Sequence, residues 1–365
     1  MDDDRSADRL AAPAIVARRL HRQGLAGAPF ATPVEAVAFS GAVQAQEVAE
    51  ALWSLGMRVR DHDAAAIAAA CDRGDIVRTH VLRPTWHFVA AGDLRWMLRL
   101  TGRRIQAKDA GRLRDLELDA ATLSRVHDVL ADTLADGQPR TRRELAAVLD
   151  ASGIDMAGQR IAHAVAHSEL EAVICSGPRR GSHHTYVLMD GRVPPAPERD
   201  REEDVAELVL RYFSSHGPAT LRDFAWWSGL TIADGKAGVA AAGAALVAER
   251  DEAGTTWFSP CAAPGAVTAP HQGALLLSTF DETLVAYRDL RTVGLDGTPD
   301  NALLTRPIIL DGRAAGTWTR RLARREVTVE AVLRTPPDAG QRDALQAATE
   351  RYGEFVGLPA RLKLP

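Results

Sequence analysis

A recurring order of predicted elements constrains the fold of this chain more than any single motif, and it is clearest between residues 120 and 190. The first helical run there has apolar residues three and four positions apart on one face, namely Leu123, Val126, Leu130 and Leu134. Thr141 and Glu144 have the spacing of a capping box, which predicts a short second helix. A third helical run is followed by two apolar stretches, AVICS and TYVLM, on either side of the basic turn GPRRGSHH. Three helices and a hairpin with a basic tip are the order of a winged helix-turn-helix.

The same order returns in residues 201–260 and, with a divergent start, in residues 8–100. Proline-rich segments at 191–200 and 259–273 separate the second unit from the third and the third unit from the rest. From Ala274 onward the pattern is strand-like, including the segment TLVAYRDL, and a closing helix follows the prolines at 336 and 337.

These patterns predict an α+β protein with three tandem winged helix-turn-helix units followed by a small β-rich C-terminal domain. The predicted domains are residues 1–115, 116–195, 196–265 and 266–365.

Composition excludes several classes of protein. The chain has 44 basic and 48 acidic residues, 46% hydrophobic residues and 25% charged residues, which are globular values rather than those of a disordered or collagen-like chain. Its three cysteines show no metal-ligand spacing, so we expect no metal site and a reducing compartment. The acidic start MDDDRSADRL lacks the order of a signal peptide, and no apolar run reaches the roughly 18 residues of a membrane span. The sequence therefore predicts a soluble, cytoplasmic protein.

Only three of the 44 basic residues are lysines. A GC-rich genome explains most of this bias, but arginine also binds phosphate and enters DNA grooves. Because the net charge is −4, a nucleic-acid surface has to be a local patch. For each arginine cluster taken alone, a solvated face is the favoured interpretation.

Familiar catalytic motifs such as G-x-S-x-G, the Walker sequence and H-E-x-x-H do not occur in the sequence. One short segment stands out, in which Gln44 and Gln46 are two residues apart. On a helix such residues point about 200° apart, whereas in an extended stretch they face the same side. The apolar stripe of the next helix starts at Val48, so we expect the helix to begin near Glu47 and to leave both amides before it. Solvent-facing glutamines are the alternative interpretation.

The segment QAQEVAEALWSLGMR, followed by DRGDIVRTHVLRPTWHFVAAGDLRWML, resembles the AlkZ/YcaQ-type winged-helix DNA glycosylases. The resemblance continues through LLLSTFDETLVAYRDLR and RPIILDGRAAGTWTRRL, so it covers nearly the whole chain. It implies that Gln44 and Gln46 form the catalytic Q-x-Q triplet of the family. The Q-x-Q form is associated with members that protect antibiotic producers from their own DNA-alkylating products, and the Q-x-D form with broader housekeeping members.

Amides suit the excision of N7-alkylated purines, because the alkylated base is cationic and already a good leaving group. The remaining tasks are to stabilise an oxocarbenium-like sugar and to place a water, which oriented amide dipoles can do. No lysine lies near the triplet in sequence, which favours a monofunctional hydrolytic glycosylase over a lyase. The expected partner is double-stranded DNA containing alkylated purines, including adducts or crosslinks of a natural product, with no cofactor, no metal and a monomeric enzyme.

Two groups of residues complete the predicted site. Thr85 and His87 alternate in R-P-T-W-H-F and are candidates for catalytic support, although they equally suit a role in holding the hairpin together. The arginines predicted to contact DNA are Arg142, Arg143, Arg179, Arg180, Arg83, Arg313 and Arg320. Two other interpretations stay open: a non-catalytic winged-helix transcriptional regulator, which predicts a dimer on a palindromic site, and a protein-interaction module.

Overall fold

A computed structural model describes residues 10–61, 63–261, 270–296 and 304–365. Helices and small sheets alternate along these residues, which confirms the predicted α+β class.

The first unit contains the predicted helices and hairpin together with two helices that the sequence patterns do not indicate. Its elements are α1 (Ala12–Arg22), α2 (Pro33–Ser40), β1 (Val43–Gln44), α3 (Val48–Gly56), α4 (Ala64–Arg73), β2 (Ile76–His80), β3 (Trp86–Ala90) and α5 (Ala91–Asp115). The unexpected helices are α2, which Thr32 caps by accepting from the Glu35 N–H, and the long α5. The three strands form one sheet in the order β1-β3-β2, with Gln44 opposite His87.

The second unit has the predicted order of elements. They are α6 (Ala120–Leu134), β4 (Arg140–Thr141), α7 (Arg142–Ala151), α8 (Arg160–Leu170), β5 (Ile174–Ser176) and β6 (Thr185–Leu188). The capping box predicted for the start of α7 is present, with both reciprocal hydrogen bonds between Thr141 and Glu144. The predicted apolar stripe of α6 is buried in a cluster that also contains Leu145, Leu149 and Tyr186.

The third unit repeats this order with α9 (Arg201–His216), α10 (Leu221–Ser228), α11 (Ile232–Ala242), β7 (Leu246–Arg250) and β8 (Thr256–Pro260). Capping boxes begin all three of its helices, because an Asp or Thr precedes each helix and an acidic residue follows three positions later. The identification of the three units as winged helices and their boundaries stay predictions, and the boundary between residues 265 and 266 lies outside the described residues.

The C-terminal region is built on a five-stranded sheet in the order β13-β12-β11-β10-β9. Its elements are β9 (Ala274–Leu276), α12 (Glu282–Val285), β10 (Pro307–Leu310), β11 (Arg313–Leu322), β12 (Val327–Leu333), α13 (Ala339–Val356) and β13 (Ala360–Lys363). The closing helix is confirmed as α13, but the strand-like interpretation of TLVAYRDL is wrong, since its first three residues belong to the short helix α12 and none of it is a strand. Its apolar residues are buried without alternation, a pattern that does not separate a strand from a helical turn, and Asp281 caps the turn by accepting from the Thr283 N–H.

The first unit, the third unit and the C-terminal region pack around one shared hydrophobic core. Hydrogen bonds across it join α3 to β9, where the Trp53 indole donates to the Leu276 carbonyl at 2.7 Å. An ion pair also crosses it, because Arg58 donates to both carboxylate oxygens of Asp281 at 2.7 and 3.0 Å, and both side chains are almost fully buried. The segment around Asp281 is thereby fixed against the first unit.

Candidate active site

The Gln-x-Gln triplet joins the end of a strand to the start of a helix. Gln44 ends β1, Glu47 is the N-cap of α3, and the helix begins at Val48. Ala45 is fully buried between a partly buried Gln44 and an exposed Gln46. The side chains of Gln44 and Gln46 both reach the hairpin formed by β2 and β3, where each amide oxygen accepts a hydrogen bond.

Arg78 and Trp86 hold the main chain of the triplet. The Ala45 N–H donates to the Trp86 carbonyl at 2.7 Å, which extends the pairing of β1 with β3. The Arg78 guanidinium donates to the carbonyls of Ala45 at 2.8 Å and of Gln46 at 3.1 Å. These hydrogen bonds fix the main chain at Ala45 and Gln46 from the side of the hairpin.

Each amide side chain accepts a hydrogen bond from the same hairpin. Arg83 donates through Nη2 to Gln44 Oε1 at 2.8 Å, and the Trp86 N–H donates to Gln46 Oε1 at 3.4 Å. With both oxygens engaged, the Nε2 groups are the donors that the two amides present outward.

His87 lies opposite Gln44 in the β1–β3 pairing and is fully buried. Its Nδ1 is 2.9 Å from the Thr85 carbonyl, which can only accept, so Nδ1 carries the hydrogen and Nε2 keeps a free lone pair. Burial, and after it the charge of Arg83, lowers the pKa of His87 to about 3, so the ring is neutral at physiological pH. Three buried polar atoms here have no hydrogen-bond partner within the described residues: Arg83 Nε, Thr85 Oγ1 and His87 Nε2.

A buried carboxylate approaches the triplet from the C-terminal region. Glu282 Oε1 accepts from the Gln44 N–H at 2.7 Å, and its Oε2 accepts from the Trp227 indole at 3.1 Å. His216 Nε2 is 3.6 Å from the same Oε2. Burial raises the pKa of Glu282, but its interaction with the nearby His216 and then the charge of Arg83 outweigh burial, and the pKa lies below its usual value.

An aromatic group borders the triplet on the side of the second unit. The Trp86 ring is half-buried, with the Arg78 guanidinium 4.0 Å from its centroid and the His80 ring centroid at 4.1 Å. His184 in the second hairpin packs edge-on against Trp86 with centroids 5.2 Å apart. The hairpin of the second unit is therefore in contact with the residue beside Gln46.

Residues 37–355 match the sequence profile of the family described as DNA glycosylase AlkZ-like. The chain belongs to this family. The DNA glycosylases of the AlkZ-like family act on DNA, and membership confirms both the resemblance in the sequence and the expected enzyme class.

The fold is likewise similar to a solved AlkZ-like structure. The DNA glycosylase AlkZ of Streptomyces sahachiroi superposes with a TM-score of 0.78, with 20% sequence identity, over 97% of this chain and 100% of that chain. No curated protein matches the chain.

In this AlkZ-like chain the arginines predicted to contact DNA fall into two groups. The exposed group consists of Arg142, Arg143, Arg179, Arg180 and Arg313, of which Arg179 and Arg180 also form surface ion pairs with Asp72 and Glu144. Arg83 instead binds Gln44, and Arg320 pairs with the buried Glu50 at 2.8 Å with only 14% of its side chain exposed. The predicted DNA role of these two arginines therefore competes with protein contacts that engage their head groups.

Sequence reasoning missed Glu282, because nothing near it in the chain marks a functional residue. It lies 238 residues from Gln44, and its neighbour Asp281 is the more conspicuous acidic residue as a helix cap. Only the folded arrangement of α12 against β1 joins Glu282 to the triplet.

Among the described residues, no three His, Cys, Asp or Glu side chains are grouped so that they could hold a metal ion. In the same part of the chain, no helix is long and apolar enough to cross a membrane.

Proposed function

We propose that this DNA glycosylase hydrolyses the N-glycosidic bond of cationic N7-alkylated purines. The observation that carries the proposal is that the uncharged amides of Gln44 and Gln46 are both held by hydrogen bonds from one hairpin. A purine alkylated at N7 carries its own positive charge and leaves without a general acid. The site then has to hold the sugar and a water in place, for which oriented dipoles are sufficient.

His87 and Gln44 form the water-holding part of the proposed mechanism. The Gln44 Nε2 group donates to the water oxygen, and the lone pair of the neutral His87 Nε2 accepts one of its hydrogens. With a pKa of about 3, His87 is a weak base. This suits a reaction in which the departure of the cationic base precedes attack of the water, because the water then meets a strong electrophile.

The reaction is proposed to be monofunctional. Lys108 lies on α5, Lys236 on α11, and Lys363 on β13, where it pairs with Glu330. Within the described residues no hydrogen bond or ion pair joins a lysine to the triplet, so no amine is in place to form a Schiff base.

The proposed DNA-binding surface includes Arg142 and Arg143 at the start of α7, and Arg179 and Arg180 at the tip of the second hairpin. All four are exposed, and the contact between His184 and Trp86 places this hairpin next to the triplet. We extend the proposal to a cytoplasmic monomer on double-stranded DNA, with adducts or interstrand crosslinks of an alkylating natural product among its substrates.

The test measures base release from DNA methylated at guanine N7, with uracil-containing DNA as the uncharged comparison. We expect the protein to release 7-methylguanine well above the spontaneous rate, to leave uracil in place, and to produce strand breaks only after treatment with alkali. A nitrogen-mustard crosslinked duplex tests unhooking in the same assay. Release at the spontaneous rate would refute the substrate class, and strand breaks without alkali would refute the monofunctional mechanism.

A further inference from the structure

Glu282 is the only described side chain outside the first unit that hydrogen-bonds to the triplet. It is 2% exposed, and both of its oxygens accept from N–H donors, the Gln44 main chain at 2.7 Å and the Trp227 indole at 3.1 Å. The carboxylate thus connects β1, the third unit and α12 at the residue where the proposed chemistry begins.

Two donors that converge on one side chain require an acceptor-only group. An ionised carboxylate satisfies both of them, whereas an amide of the same size has one oxygen and must turn its NH₂ toward one of the donors. Two N–H groups that face each other in a buried site, with no acceptor between them, cost enough free energy that the main chain is expected to shift. A shift of about 1 Å at a catalytic group can slow an enzyme by about 10²-fold.

We propose that Glu282 is a positioning residue for catalysis, which fixes Gln44 through its main-chain N–H and thereby sets the direction of the Gln44 amide. The inference rests on the proposed function only in taking Gln44 as a catalytic residue. The helical turn of α12, capped by Asp281, holds Glu282 against β1 while Asp281 pairs with Arg58.

The first test is a kinetic cycle with two substitutions. Glu282→Gln should slow single-turnover release of 7-methylguanine by about 10- to 100-fold with little change in the affinity for alkylated DNA. Adding Trp227→Phe removes the second donor and lets the glutamine oxygen turn to the Gln44 N–H. The effect of Glu282→Gln on the release rate is therefore measured in two backgrounds, the wild type and Trp227→Phe. We expect the loss of rate to be smaller in the Trp227→Phe background.

Asp223 supplies the matched control. It is also a buried carboxylate in the contact between the third unit and the C-terminal region, where it accepts from the Arg288 N–H at 2.9 Å, but it does not touch the triplet. Asp223→Asn should leave the release rate of the folded protein unchanged. Equal losses of rate in Glu282→Gln and Asp223→Asn, or a double variant without recovery, would overturn the positioning role.

A second test does not depend on activity. In the full-length protein, Glu282→Leu should accelerate hydrogen exchange of the Gln44 amide by about 10-fold or more, while the Ala45 amide, bonded to Trp86, serves as the internal reference. An unchanged ratio of the two exchange rates would refute the contact even if no substrate is cleaved. A wild type without excision would instead count against the proposed function and leave this second test decisive for Glu282.

Discussion

Replacing Gln44 or Gln46 by alanine should lower the free energy of unfolding by different amounts but slow base release to a similar extent. Gln44→Ala removes the acceptor of a largely buried Arg83, whose Nε already has no partner within the described residues. A hydrogen bond to a charged group contributes about 1.5–3 kcal/mol, so the free energy of unfolding should fall by roughly that amount. Gln46 is exposed and accepts one long hydrogen bond of 3.4 Å, so Gln46→Ala should change stability by about 0.5 kcal/mol or less.

The effect on the reaction should be similar for both variants. Loss of one preorganised dipole at a developing charge typically costs about 10²–10³ in rate, or about 2.7–4 kcal/mol, and each variant loses one amide. DNA affinity should hardly change, since neither substitution alters a phosphate-binding charge.

The assay combines single-turnover release of 7-methylguanine with urea unfolding at a common denaturant slope. Gln346→Ala, which changes an exposed glutamine on α13, is the control for the loss of a surface amide. If Gln46→Ala unfolds as readily as Gln44→Ala, the described hydrogen bonds are wrong. If either variant releases the base as fast as the wild type, that amide has no part in the reaction.

Three further outcomes are expected. Arg142→Ala with Arg143→Ala should weaken binding to any DNA sequence and reduce the slope of log affinity against log salt by about 0.9 for each lost phosphate contact; an unchanged slope assigns both arginines to solvent. His87 binds a proton near pH 6.5 in the unfolded chain but only near pH 3 in the folded one, so its contribution to stability is complete above pH 6.5 and is lost as the pH falls toward 3. His87→Asn should therefore flatten the decline of unfolding free energy in that range, and an identical decline in both proteins would contradict the burial of a neutral ring. Arg58→Met leaves the Asp281 carboxylate buried without its partner and should cost about 3–5 kcal/mol in urea unfolding, whereas a loss below 1 kcal/mol would show that water reaches this pair.

The local elements of this protein are predictable because their signals are local. The capping box of Thr141 and Glu144 and the apolar stripe of α6 depend on residues three and four positions apart, and both are present as expected. The long helix α5 is not evident in the same way, since it contains Gly92, Gly102 and Gly111, and its faces pack against both α8 and α9. A helix covered on more than one side has no single apolar stripe to mark it.

The candidate site is predictable only in part for a related reason. The position of the triplet before α3 follows from the start of the α3 stripe at Val48, and the family resemblance depends on contiguous segments. The contacts of Arg83 and Glu282 with Gln44 are tertiary; the sequence suggested a DNA contact for Arg83 and gave no sign of Glu282. An arginine near a hairpin tip suggests phosphate, whereas here its head group is turned inward.

The hydrogen bond between Gln44 and Glu282 also has a consequence for synthesis of the chain. The ribosome adds Glu282 238 residues after Gln44, when the triplet and all the exposed arginines of the second unit have long been synthesised. A chain that stops before α12 contains the exposed arginines of the second unit but lacks the carboxylate that accepts from the Gln44 N–H. The contact that holds Gln44 can therefore form only after about three quarters of the chain has been synthesised.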